Sequence, residues 1–255
     1  MTTDPVGHGV RRMCIAFDLE RYSGGSDAAQ VEKQRAMTSL VMQACERGAL
    51  ERAHWLKQEQ GDGELALLPP GIDEARVITA LWREFREGLH RHNRHANATA
   101  QLRMRVAVHE GMTYIADNGF AGDAVNTVCR LRDCPVAKNA LSGTDGDMVL
   151  IVSDRIYQDV IRGYDGLDLP ASAFTETTID MPDKGFHATA YIFSGNGSRP
   201  DTPPGDASAQ GLPRPRADQP DSGPGGPALN FGPNAKVKMR DVVSGTVNHI
   251  HGNGR

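Results

Sequence analysis

The chain has 255 residues, 39% of them hydrophobic, which is enough for one sizeable core; its last quarter departs in composition from the rest, so one folded domain and a tail are expected. A formal charge of −4 gives no electrostatic footprint for DNA, RNA or an anionic membrane, and no segment has the apolar length of a membrane span or a signal peptide, so neither nucleic acid nor membrane is expected as a partner. Cys14, Cys45, Cys129 and Cys134 form no CxxC pair, and thiols within apolar patterns suit a reduced, cytoplasmic setting.

Residues 1–12 read as an N-terminal extension. Met13 to Phe17 is an apolar run of strand length that ends at Asp18. After the Ser23-Gly24-Gly25-Ser26 turn, Asp27 through Arg47 reads as a helix with Val31, Met37, Leu40, Val41 and Ala44 facing one way. His54 to Gln60 and Glu64 to Leu68 form a hairpin through Gly61-Asp62-Gly63. Pro69-Pro70-Gly71 breaks the chain, Asp73 caps a helix, and Val77, Ile78, Leu81, Trp82, Phe85 and Leu89 mark its buried face. Leu102 to His109 alternates as a strand, Gly111 interrupts it, Met112 to Ala116 resumes, and Asp123 to Asp133 is a further helix, giving the order βαββαββα.

Downstream, Met148 to Val152 is a strand, Ser153-Asp154 caps a helix running to about Arg162, and Thr175 to Met181 with Thr189 to Phe193 suggests a last hairpin. The folded domain is expected over 13–194. Residues 195–233, rich in Pro, Gly, Ser and Asp, read as a disordered linker, too poor in apolar groups to offset the entropy of ordering. Residues 234–255 alternate apolar and polar on both sides of Ser244-Gly245, a β-hairpin-like pattern. A lone hairpin is barely stable in water, so this tail is expected to pair with an effector protein's sheet edge or with copies of itself, a chance alternation in a disordered tail being the alternative.

Asp18 and Asp62, 44 residues apart, each sit where a strand begins or ends, and Asn126 with Arg130 follows on one face of a helix at i and i+4. Two carboxylates on neighbouring strands repel unless a cation sits between them, and Mg2+ suits one or two carboxylates completed by substrate phosphates. The pattern points to a metal-dependent site for a nucleoside triphosphate. Alone, either aspartate is more often a turn former, and Arg130 a solvated helical charge. His90, His92 and His95 read as a solvated helix end and His109 as structural.

Phe17-Asp18-Leu19-Glu20-Arg21-Tyr22-Ser23, Gln60-Gly61-Asp62-Gly63, Arg105-Val106-Ala107-Val108-His109-Glu110-Gly111 and Gly122-Asp123-Ala124-Val125-Asn126-Thr127-Val128-Cys129-Arg130 together resemble four successive motifs of the class III nucleotidyl cyclases, in order and in spacing, across residues 13–193. The resemblance, to a divergent stand-alone bacterial type, implies an α+β fold with a ferredoxin-like βαββαβ core and an added C-terminal hairpin. It implies a head-to-tail homodimer with shared active sites. Asp18 and Asp62 of one copy would hold two ions, Mg2+ or Mn2+, with the Leu19 carbonyl as a further ligand; Asn126 and Arg130 would come from the other copy.

The sequence also departs from that family. Arg21 stands where the pattern has a glycine, and would either bind the phosphates or block them. Gln58, beside Lys57, stands where a purine-selecting lysine is usual, and no aspartate occurs near Gly119 and Phe120, the expected second selector, so the adenine code is missing and the base stays open. Lys184-Gly185 resembles the family's basic loop near the triphosphate, one residue out of register. Two functions follow. One is a cyclase that converts a nucleoside triphosphate to a 3′,5′-cyclic nucleotide and pyrophosphate, for signalling in stress or antiphage defence. The other is a catalytically degenerate scaffold that binds nucleotide or dimerises and recruits a partner through its tail.

Overall fold

The computed structural model describes residues 8–163 and 168–195. The chain runs β1 (Val10–Leu19), α1 (Asp27–Arg47), β2 (Leu56–Glu59), β3 (Gly63–Leu67), α2 (Glu74–Asn93), β4 (Met104–Ala116), β5 (Gly119–Ala121), α3 (Asp123–Asp133), α4 (Pro135–Ser142), β6 (Met148–Ser153), α5 (Asp154–Ile156), β7 (Thr175–Met181) and β8 (Phe186–Phe193). Strand order in the sheet is β2-β3-β1-β4-β6-β8-β7, with β5 folded back on the end of β4. The part β1-α1-β2-β3-α2-β4, in the order β2-β3-β1-β4 with β1 antiparallel to both neighbours, is a ferredoxin-like core. β6 adds in parallel to β4, and the β7–β8 hairpin closes the other edge.

Strand alternation divides the interior in two. Met13, Ile15, Phe17 and Leu19 of β1 face α1 and α2, where they join Met37, Leu40, Val41, Phe85 and Leu89. Cys14 and Ala16 face the opposite side and pack with Ala124, Val125, Val128 and Leu131 of α3. Asp18 continues the second series, so its side chain belongs to the α3 face of the sheet. Ser26 caps α1 through Ala29 N, and Asp73 caps α2 through Arg76 N at 3.0 Å.

Several expectations are corrected. β1 begins at Val10, inside the segment read as an extension. Val31 lies on the outer side of α1 and is 44% exposed; Cys45 takes the buried place instead. β4 runs through Gly111 without interruption: the glycine is there because α3 comes so close that an added Cβ would lie 2.9 Å from Ala124 Cβ. The short strand β5 and the helix α4, begun by Pro135 and capped by Cys134 Sγ, were not expected. The helix after Ser153 is α-helical for three residues and continues as a π-turn over Tyr157–Ile161. The linker over 196–233 and the hairpin-like tail over 234–255 lie outside the described residues.

Candidate active site

Asp18 lies one residue from the end of β1, opposite Gly63 of β3, and the Leu19 amide donates to the Asp62 carbonyl at 3.1 Å. The hairpin can close this tightly because residue 63 has no side chain: a Cβ there would meet the Phe17 carbonyl oxygen at 2.2 Å. Asp18, Leu19 and Asp62 are thereby brought together at one end of the sheet. Asp62 is half-buried, and among the described residues its carboxylate has no hydrogen-bond or ion-pair partner.

Asp18 is 6% exposed and is gripped by Arg105, its cross-strand partner on β4. Arg105 Nε donates to Oδ1 at 2.9 Å and Nη2 to Oδ2 at 2.5 Å, a two-pronged ion pair. Arg132 of α3 stands 4.0 Å from Oδ2, held by Gln60 Oε1 at 2.6 Å and by both oxygens of Asp133. Burial pushes the Asp18 carboxyl up, against the pull of Arg105 and Arg132. Burial alone would lower the Arg105 guanidinium, but the hydrogen bonds and charge of Asp18 outweigh it and raise it, so Arg105 remains charged. Removing one partner of such a pair costs about 3–5 kcal/mol, because a buried charge is left behind. In the sequence Arg105 opens a strand motif and Arg132 follows Arg130 on the next helix; the signal for both is an arginine where the pattern calls for an inward-facing residue.

Arg21 adopts φ 53° and ψ 37°, the left-handed setting that glycine takes without strain. Its side chain is exposed, and its carbonyl accepts from Lys33 Nζ at 3.4 Å. Gln58 of β2 and Gly119 of β5 meet, since a Cβ on Gly119 would lie 2.6 Å from Gln58 Oε1. Phe120, next to Gly119, packs half-buried against the α3-side core. The two positions expected to face a base are therefore neighbours.

Asn126 and Arg130 are elsewhere. Asn126 is exposed on α3, and the Arg130 guanidinium lies over the Phe186 ring, 5.2 Å from its centroid, on β8, three strands along the sheet from β1. Among the described residues neither is bonded to Asp18 or Asp62. Lys184 is exposed in the turn between β7 and β8. His92 Nε2 is 3.0 Å from the Ala100 carbonyl and His109 Nδ1 is 2.9 Å from Ser153 Oγ, so both serve the scaffold. All four cysteines are free, and burial pushes Cys14 up to about 12, which leaves it a thiol rather than a nucleophile.

Two carboxylates and a main-chain carbonyl are hard oxygen donors that fit Mg2+ or Mn2+ when phosphates complete the shell. Among the described residues no three His, Cys, Asp or Glu side chains converge, so a metal would depend on substrate for its remaining ligands. The carboxylate oxygens of Asp18 keep a second lone pair each beyond the Arg105 bonds.

No model of a known protein family matches the chain, and no curated protein does. Solved structures do. The guanylyl cyclase Cya2 superposes with a TM-score of 0.50 at 16% identity, over 75% of this chain and 96% of that one. An adenylate/guanylate cyclase/hydrolase from Silicibacter pomeroyi matches at 17% identity, 73% and 98% coverage and a TM-score of 0.48. The adenylyl cyclase CyaB from P. aeruginosa matches at 12% identity, 72% and 95% coverage and a TM-score of 0.46. With the strand order, the Cya2 likeness identifies the fold as that of a class III nucleotidyl cyclase catalytic domain.

Proposed function

We propose that the chain is a cytoplasmic, metal-dependent nucleotidyl cyclase that works as a homodimer and makes a 3′,5′-cyclic nucleotide for intracellular signalling. The observation that carries the reading is the meeting of Asp18, Leu19 and Asp62 at the end of a sheet with the cyclase strand order. Asp18, Asp62 and the Leu19 carbonyl would hold Mg2+ or Mn2+, two ions per site; when bound, the ions lower the pKa of the ribose 3′-hydroxyl and neutralise the triphosphate.

The chain's own residues do the rest. The 3′-oxygen attacks the α-phosphorus in line, a 3′-O–P bond forms, the bond from the α-phosphorus to the bridging oxygen breaks, pyrophosphate leaves and the hydroxyl proton passes to solvent. Arg130 stabilises charge on the α-phosphoryl group with its planar fork, and Asn126 orients the ribose. Because both stand apart from Asp18 within one chain, the reading has a second copy supply them. Arg21 and Lys184 are exposed cations that can meet the triphosphate, and Gln58 beside Phe120 meets the base, which stays unassigned. The domain is assigned to 10–194, with 234–255 as a contact for an effector protein.

Two observations favour the scaffold alternative. Arg105 occupies both oxygens of Asp18, and Arg21 replaces the glycine beside it. Turnover decides between the two. Purified protein is incubated with Mn2+ and each of ATP, GTP, CTP and UTP separately, and the products are identified by mass. A cyclic nucleotide that disappears in Asp62→Ala is expected. No product from any of the four, in folded and dimeric protein, would leave the scaffold.

A further inference from the structure

Arg105 and Arg132 both act on Asp18, but they are held differently. Arg132 is anchored by Gln60 and Asp133, so its guanidinium is fixed whatever happens at Asp18. Among the described residues, the only hydrogen bonds of the Arg105 side chain are the two to Asp18. The register sets the two residues directly opposite each other on adjacent strands, so the pair forms from the fold itself and needs no ligand. Both are buried, at 6% and 9% exposure, where water screens charge weakly. A divalent cation bound to either Asp18 oxygen would stand next to the guanidinium with little between them.

We infer that Arg105 is a positioning residue that serves Asp18 as an internal counter-ion while no metal is bound, and that it competes with divalent metal for that carboxylate. This rests on the reading that Asp18 and Asp62 hold the metal. For the ion to enter, Arg105 gives up its two bonds to Asp18. The exchange keeps Asp18 from standing as a bare buried charge in the absence of nucleotide. It also makes metal binding weak until the triphosphate adds its own negative charge, so metal and nucleotide arrive together.

The test uses the full chain without nucleotide. Mn2+ affinity is read from the EPR signal of the free ion, and the Mn2+-induced rise in Tm is measured alongside. Arg105→Met is expected to lower Tm without metal, yet to bind Mn2+ about tenfold more tightly than the unaltered protein, the factor that one close unit charge is worth to an ionised neighbour. Its Tm should also rise more on adding Mn2+. Arg105→Lys, a point charge that cannot fork across both oxygens, should fall between. A folded Arg105→Met that binds Mn2+ equally or more weakly overturns the proposal, because a purely structural arginine would give that result. If Arg105→Met does not fold, Arg105→Lys decides by the same criterion. Mn2+ binding that is absent from all three proteins, or unchanged by Asp62→Ala, would sink the metal reading itself and this proposal with it.

Discussion

Arg21 is a residue with a Cβ in the left-handed region, a setting that costs about 1–2 kcal/mol relative to a right-handed one. The strain falls two residues after the end of β1, where a glycine would be free of it. Arg21→Gly should leave Tm unchanged or raise stability by up to about 1 kcal/mol, part of the relief being offset by the greater freedom of glycine in the unfolded chain. The triphosphate KM should rise about tenfold, the loss of one charge-assisted hydrogen bond, and steady-state kinetics with thermal melting checks both. At this scale the placement of Asp18 and Asp62 at strand boundaries was legible in the sequence because apolar runs lie beside both. Arg105 was not, because which residue stands opposite Asp18 is a matter of register, and register is not written in either strand alone.

The elements show where periodicity is a sound guide and where it is not. α2 presents a full apolar face, and Val77, Ile78, Leu81, Trp82, Phe85 and Leu89 are all buried. β4 was misread because a glycine inside a strand has two meanings, a break or a close approach, and only the nearby α3 selects the second. β5, at three residues, is too short for any pattern. Midway along β4, four residues beyond Arg105, half-buried His109 meets Ser153 Oγ, which also accepts from Ile156 N as the cap of α5. Burial lowers the His109 pKa from 6.5; Asp123 and Glu110 pull it up, and Arg155 and Arg11 push it further down. The folded state therefore favours the neutral ring. Between pH 6.5 and the lower folded value the unfolded chain binds the extra proton, so stability falls as pH drops through that window and is flat above it. Denaturant unfolding between about pH 5 and pH 8 should show this slope, and His109→Gln should flatten it.

For the whole molecule, the order of strands and helices and the closing hairpin were legible from periodicity, while the ferredoxin-like core was what the resemblance of the four motifs implied. Under the proposed cyclase reading, the site is completed by a second copy. Asp18 and Asp62 stand at one strand end, while Arg130 rests on Phe186 of β8. A shared site between two copies makes a direct prediction, since inactivating different halves in different chains leaves one intact site in every mixed dimer. Asp62→Ala and Arg130→Ala should each be inactive alone as homodimers. Mixed in equal amounts and allowed to exchange, half of the dimers are hybrids with one working site of two, so cyclic nucleotide production should return to about a quarter of the unaltered rate. A mixture that stays inactive although exchange is demonstrated, or an Arg130→Ala protein with full activity, would contradict the shared catalytic site.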